Sequence, residues 1–159
     1  MDTKNKATRK WSELRGMPVA VPSEGRIVGN IADFFFSPES GAIRAFSVRT
    51  QLNGDLSLPV RAIKAIDKTI TIDNSNLLLK ARSLYPAGQD LRGLKIIDED
   101  GSAVGTVGEL WLALDPIAAP HLAALSLNGK RPKSFSANAV TRYDNDEIVI
   151  DKQIAKKLR

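Results

Sequence analysis

Two stretches of this chain say nearly the same thing. Residues 14–36 read LRGMPVAVPSEGRIVGNIADFFF, and residues 91–112 read LRGLKIIDEDGSAVGTVGELWL. An internal repeat constrains architecture more than any other sequence signal, because each copy must fold the same way. Leu14, Arg15 and Gly16 match Leu91, Arg92 and Gly93. Gly25 and Gly29 match Gly101 and Gly105, with one residue lost in the second turn. Asp33 matches Glu109, Asn53-Gly54 matches Asn128-Gly129, and Ile70-Thr71-Ile72-Asp73 matches Ile148-Val149-Ile150-Asp151. The tails agree too: Leu77, Leu78 and Ala81 fall opposite Ile154, Ala155 and Leu158.

The chain of 159 residues therefore divides into two units. Each is close to the size at which a single core is only marginally stable alone, so the units are expected to pack on each other. The expected division is a disordered basic tail at 1–10, a first repeat at 11–85, a linker at 86–90 and a second repeat at 91–159.

Short apolar or β-branched runs between turn residues predict strands at 17–21, 26–32, 34–37, 42–48, 56–60 and 69–72. The second unit repeats the plan at 94–97, 103–107, 109–114, 121–127, 134–136 and 147–150. Asn-Gly tolerates positive φ and predicts a two-residue hairpin turn at both places. Asn74, Ser75 and Asn76 predict the cap of a short helix over 77–84, with Leu77, Leu78, Ala81, Leu84 and Tyr85 on one face. A second helix is predicted over 152–158. The expected fold class is mainly β: two tandem small β-barrels with pseudo-two-fold symmetry, each followed by a short helix. Closure would hide the sheet edges.

The residues carrying this pattern are an LRG run, alternating apolar positions, an acidic-Gly turn, (I/V)-G-x-(I/V), an acidic residue and a bulky strand. The series resembles the PRC-barrel family, and it does so twice, over 14–73 and 91–151. That family includes the cytoplasmic domain of the photosynthetic reaction-centre H subunit and the C-terminal domain of the bacterial ribosome maturation factor. The resemblance implies a small barrel that acts by binding protein or ribonucleoprotein, with no catalytic residues or cofactor to transfer.

Composition narrows the function classes. The chain has no cysteine, which excludes disulfides, thiolate metal sites and thiol nucleophiles. No apolar run approaches the roughly 18 residues of a membrane span, and the start MDTKNKATRK lacks a signal-peptide core, so a cytoplasmic protein is expected. The net charge of +5 is unevenly sourced. Lys4, Lys6, Arg9 and Lys10 lie at one end and Lys152, Lys156, Lys157 and Arg159 at the other, which leaves the body slightly acidic.

Candidate chemistry is sparse. Asp98, Asp100, Ser102, Thr106 and Glu109 imitate part of a calcium-loop spacing, but Ala103 stands where that loop needs glycine. Gly101, Gly105 and Gly108 lack the strand–turn–helix context of a phosphate loop. His121, the one histidine, has no motif-marked partner for acid–base work. No catalytic, metal or cofactor residues are assigned, and the expected role is non-enzymatic. Asp33 and Glu109, before the bulky strands, are read as strand-break or bulge residues bonding to backbone.

Phe34, Phe35 and Phe36, and Trp111 in the second copy, carry more information. A strand alternates its faces, so three consecutive bulky residues cannot all enter one barrel. They are candidates for the contact between the units, with Phe35 and Trp111 lining it, or for a partner-binding patch. Lys130, Arg131 and Lys133 form a basic loop beside Asn128-Gly129 that is expected to face a partner. The expected function is a protein-binding adaptor or scaffold. The alternatives are an RNA- or ribosome-associated assembly factor and an adaptor on an anionic membrane surface. A second copy of the chain is a further candidate partner.

Overall fold

The repeated LRG turn has a local physical cause. In a computed structural model, which describes residues 8–80, 83–130 and 132–159, Gly16 and Gly93 take φ of 88° and 87°. That region costs a side-chain-bearing residue free energy and glycine almost none. The same bonds follow in both copies. The Gly16 amide donates to Ile31 O at 2.7 Å and the Ile31 amide to Met17 O at 2.9 Å; the Gly93 amide donates to Val107 O at 2.8 Å and the Val107 amide to Leu94 O at 2.9 Å.

The first half contains β1 (Thr8–Lys10), the single turn α1 (Trp11–Leu14), β2 (Pro18–Val21), β3 (Arg26–Phe36), β4 (Ile43–Arg49), β5 (Asp55–Pro59), β6 (Ile63–Ile66) and β7 (Ile70–Ile72). The second contains β8 (Lys95–Asp98), β9 (Ala103–Ala113), β10 (His121–Leu127), β11 (Ser134–Ser136), β12 (Val140–Tyr143), β13 (Glu147–Ile150) and α2 (Lys152–Leu158). The protein is mainly β, in two sheets. One runs β5-β4-β3-β2-β7-β6, and the other runs β11-β10-β9-β8-β13-β12 with β1 added beside β9. The strand order is the same in both, including a single parallel pair, β2 with β7 and β8 with β13.

Several expectations are corrected. Neither sheet closes on itself: β5 and β6 end one order, β11 and β12 the other. The β5 edge is instead covered by a short bridge, with Ser57 and Leu79 exchanging backbone hydrogen bonds at 2.7 and 2.8 Å. The two strands predicted on either side of Asp33 are one long strand, as are the two predicted at 103–107 and 109–114. Each acid sits at an irregularity, where the pairing slips between Ile31 and Asp33 and skips a residue between Val107 and Leu110. β6 and β12 were not predicted, because IKAI and VTRY carry too many polar positions to read as apolar runs. The Asn-Gly turns are longer than two residues. Gly54 and Gly129 do have positive φ, at 67° and 146°, but the loops span 50–54 and 128–133.

The predicted helix over 77–84 is replaced by a 3-10 turn at Ser75–Leu77. Asn74 makes no side-chain cap there, whereas Asp151 caps α2 by accepting from the amides of Gln153 at 2.8 Å and Ile154 at 3.1 Å. Ala81, on the expected helical face, lies outside the described residues. Of the tail expected to be disordered, Thr8–Lys10 is a strand on the other half's sheet, with Lys10 paired to Trp111; residues 1–7 lie outside the described residues. The linker at 86–90 is also structured, with a 3-10 helix at Gly88–Leu91.

One hydrophobic core runs through both halves. Its largest members are Trp11, Phe34, Phe36 and Phe46, all essentially without solvent exposure. Burying aromatic surface of this extent supplies much of the stability that two small sheets would lack separately.

Candidate functional site

The seam between the halves is built by exchange. The carboxylate of Asp33, in the first half, accepts from its neighbour's amide, Phe34 N, at 2.8 Å, and from Gln89 N at 3.0 Å, in the turn that opens the second half. The carboxylate of Glu109, in the second half, accepts from Leu110 N at 3.2 Å and from the Ser12 hydroxyl, in the turn that opens the first. Burial raises the Asp33 carboxyl above the usual carboxylate range, against the pull of its two amide donors. Both acids thus bond across the seam, Asp33 to a backbone amide and Glu109 to a hydroxyl, and neither geometry is that of a proton-transfer pair.

The aromatic residues divide by strand alternation. Phe34 and Phe36 are buried, and Phe35 is half-buried on the opposite face, paired with Ala45 and bridged to Ala87. Trp11 packs edge-on to Phe34, centroids 4.9 Å apart at 68°. Phe36 meets Tyr143 of the second half at 5.3 Å and 69°. The aromatic contact across the halves therefore runs through Phe36 and Tyr143, and Trp11 backs Phe34 within the first half. Trp111 is half-buried between Lys10 and Ala124 in its sheet.

A cavity of about 620 Å³ opens along this seam. Phe36, Leu91, Leu94 and Tyr143 form part of its wall, and Leu84 and Tyr85 stand at its mouth, the former 97% exposed. Arg44 lies over the Tyr85 ring at 5.6 Å, a favourable cation–π distance. Burial pushes the Tyr143 hydroxyl up to about 12. An unfolded tyrosine titrates near 10. The neutral phenol's contribution to stability is therefore fully present below pH 10 and is lost as pH rises through 12. Tyr143→Phe is expected to abolish a loss of about 2–3 kcal/mol that the wild type shows over that range. Urea unfolding of both proteins at pH 9 and at pH 12 measures the difference, and parallel losses would refute it.

The second concavity lies on the first half alone. A groove of about 590 Å³ runs between the start of β3, the 50–54 loop and residues 75–80. Its apolar lining includes Ile27, Val28, Leu52, Leu56 and Leu78. Leu52 is 92% exposed and Ile27 52%. The ionisable side chains lining it among the described residues are Arg26, Arg49 and Lys80, all cations. Sequence reasoning missed this groove, although the signal was present: Leu52 is an apolar residue in the otherwise polar loop QLNG.

The remaining candidates are structural or solvated. Asp98 is buried and closes its own turn, accepting from Asp100 N and Ser102 N at 2.9 Å each and from Arg159 at 2.8 Å. The Arg159 guanidinium, then the Ser102 amide, holds its carboxyl below the usual range. Asp100 pairs with Lys152 at 3.3 Å, so two acids of the calcium-like spacing are engaged with the α2 segment. His121 is exposed, its Nδ1 3.3 Å from Ala119 O. In the basic loop Lys130 is exposed, Lys133 donates to Leu158 O at 3.3 Å, and Arg131 lies outside the described residues. Neither described lysine lines the groove or the seam cavity.

Among the described residues, no helix is long and apolar enough to cross a membrane. No curated protein matches the chain. Residues 7–79, which take in the whole six-stranded sheet, match the family model of the PRC-barrel domain.

Proposed function

We propose that this chain is a non-enzymatic binding and scaffolding module of the cytoplasm, built of two PRC-barrel-like units related by a pseudo-two-fold axis, and that it acts by docking a protein partner. The two-unit reading is supported by the common strand order and by the reciprocal seam, in which Asp33 holds the turn at Gln89 and Glu109 holds the turn at Ser12.

The observation that carries the docking reading is the groove of the first half, where Leu52 in the 50–54 loop and Ile27 at the start of β3 both stand exposed. Exposed apolar area concentrated in a concavity favours a partner surface over solvent. The alternatives that rest on basic tails draw less support. Arg159 is bonded to Asp98, Lys152 to Asp100 and Arg9 to Asp67 O, so part of that charge is engaged with the protein itself.

Affinity capture from a native lysate tests the proposal, with and without ribonuclease, using the full chain and Leu52→Glu as baits. A specific protein that survives ribonuclease on the wild type and is absent from the variant is expected. Leu52→Glu should change stability by no more than about 0.5 kcal/mol, because the side chain is at the surface. Loss of all specific capture after ribonuclease would replace the adaptor with an RNA-associated factor.

A further inference from the structure

The second half shows what occupies the place that the first half leaves open. After β13 the chain turns into α2, whose Ala155 and Leu158 are buried. Its end lies between the start of β9 and the 128–133 loop: Arg159 donates to Ala103 O at 3.3 Å, and Lys133 reaches Leu158 O at 3.3 Å. The corresponding elements of the first half are the start of β3 and the 50–54 loop, which are two walls of the groove. There the chain after β7 forms only the 3-10 turn Ser75–Leu77 and then runs along the β5 edge through Leu79. No α-helix of the described residues fills the gap.

Charge distinguishes the two places. In the second half a basic helix meets an acidic rim: Arg159 pairs with Asp98 at 2.8 Å and Lys152 with Asp100 at 3.3 Å. In the first half the ionisable lining is basic, from Arg26, Arg49 and Lys80. Glu24 and Asp55 pair with Arg26 and Arg49 from outside that lining. A second copy's α2 would bring Lys156 and Lys157 toward Lys80, the wrong sign. Residues 1–7 carry Lys4 and Lys6 and are no better matched.

We infer that the groove receives a short amphipathic helix of a partner protein, apolar on one face and acidic on the other, seated between the β3 start and the 50–54 loop as α2 is seated in the second half. This rests on the docking reading above and specifies its occupant. The helix would cover Ile27, Leu52 and Leu78 with its apolar face and set carboxylates against Lys80. Helix-in-groove recognition of this kind is read through anchors at helical spacing.

The test uses the full chain and two synthetic helical peptides with the same leucines at i, i+3, i+4 and i+7, one with glutamate and one with lysine at the polar positions. Fluorescence anisotropy gives affinity, and amide chemical shifts map the site. The glutamate peptide is expected to bind at least about tenfold more tightly than the lysine peptide. Its shifts should centre on Ile27, Leu52 and Leu78, and Lys80→Glu should narrow or invert the preference. Equal affinity for both peptides, shifts centred elsewhere, or displacement of the glutamate peptide by single-stranded RNA would overturn the inference. If Leu52→Glu removes the captured protein while neither peptide binds, the helical occupant is wrong and the adaptor reading stands. If both fail, both fall.

Discussion

Trp11→Ala is expected to cost about 3–5 kcal/mol, a large fraction of the stability of a domain this size. Trp11 has no solvent exposure. Its ring lies edge-on to Phe34, and its indole N–H donates to the Gln89 side chain, in the opening turn of the second half. It also follows directly on β1, whose three residues pair with β9. One substitution therefore removes buried aromatic area, leaves an amide oxygen without its donor and loosens the N-terminal strand from the opposite sheet. Urea unfolding should show a lower midpoint with a similar slope. Trp11→Phe should fall between the two, because it retains most of the apolar area and loses the hydrogen bond, worth about 1 kcal/mol. Trp111→Ala is the control: that residue is only half-buried and should cost clearly less. A loss at Trp11 no larger than at Trp111 would mean that the halves are held together by contacts other than these.

That comparison also shows where sequence reasoning stops. Alternation in residues 34–36 requires that the phenylalanines divide between faces, and they do. Nothing in FFF names Trp11 and Tyr143 as their partners, since those contacts span distant parts of the chain. The LRG turns were legible because glycine's φ is a local property. The acids at 33 and 109 were legible as backbone-bonding residues for the same kind of reason, although their donors in Gln89 and Ser12 were not. Local propensity misled where tertiary context decided. Thr8–Lys10 has no apolar period, yet β9 offers it an unpaired edge. The sequence over 77–84 has a helical apolar face, yet Leu79 is taken by Ser57. The groove was hidden for a related reason. Leu52 can be seen as an apolar residue in a polar loop, but that it stands opposite Ile27 and near Lys80 follows only from the sheet.

Gly88→Ala is expected to destabilise by about 3 kcal/mol, at or above the upper end for an added methyl in a packed core. Gly88 is buried, and its φ is not in the left-handed region, so the cost is purely steric. A Cβ there would fall within the van der Waals envelope of the Phe34 ring. Phe34 cannot withdraw, because Trp11 holds one side of it and Phe36 lies 6.2 Å away. The repeat suggests the remedy. By sequence position Gly88 corresponds to Trp11 and Phe34 to Leu110, so the two pairs differ in opposite senses at these positions, small for large at one and large for small at the other. Phe34→Leu alone should cost about 1–2 kcal/mol through the space it vacates. Added to Gly88→Ala it should recover most of the loss, giving a coupling energy of at least about 1 kcal/mol in a double-mutant cycle. Strict additivity of the two substitutions would show that Gly88 is required for the backbone path of the Gly88–Leu91 turn and not for room beside Phe34.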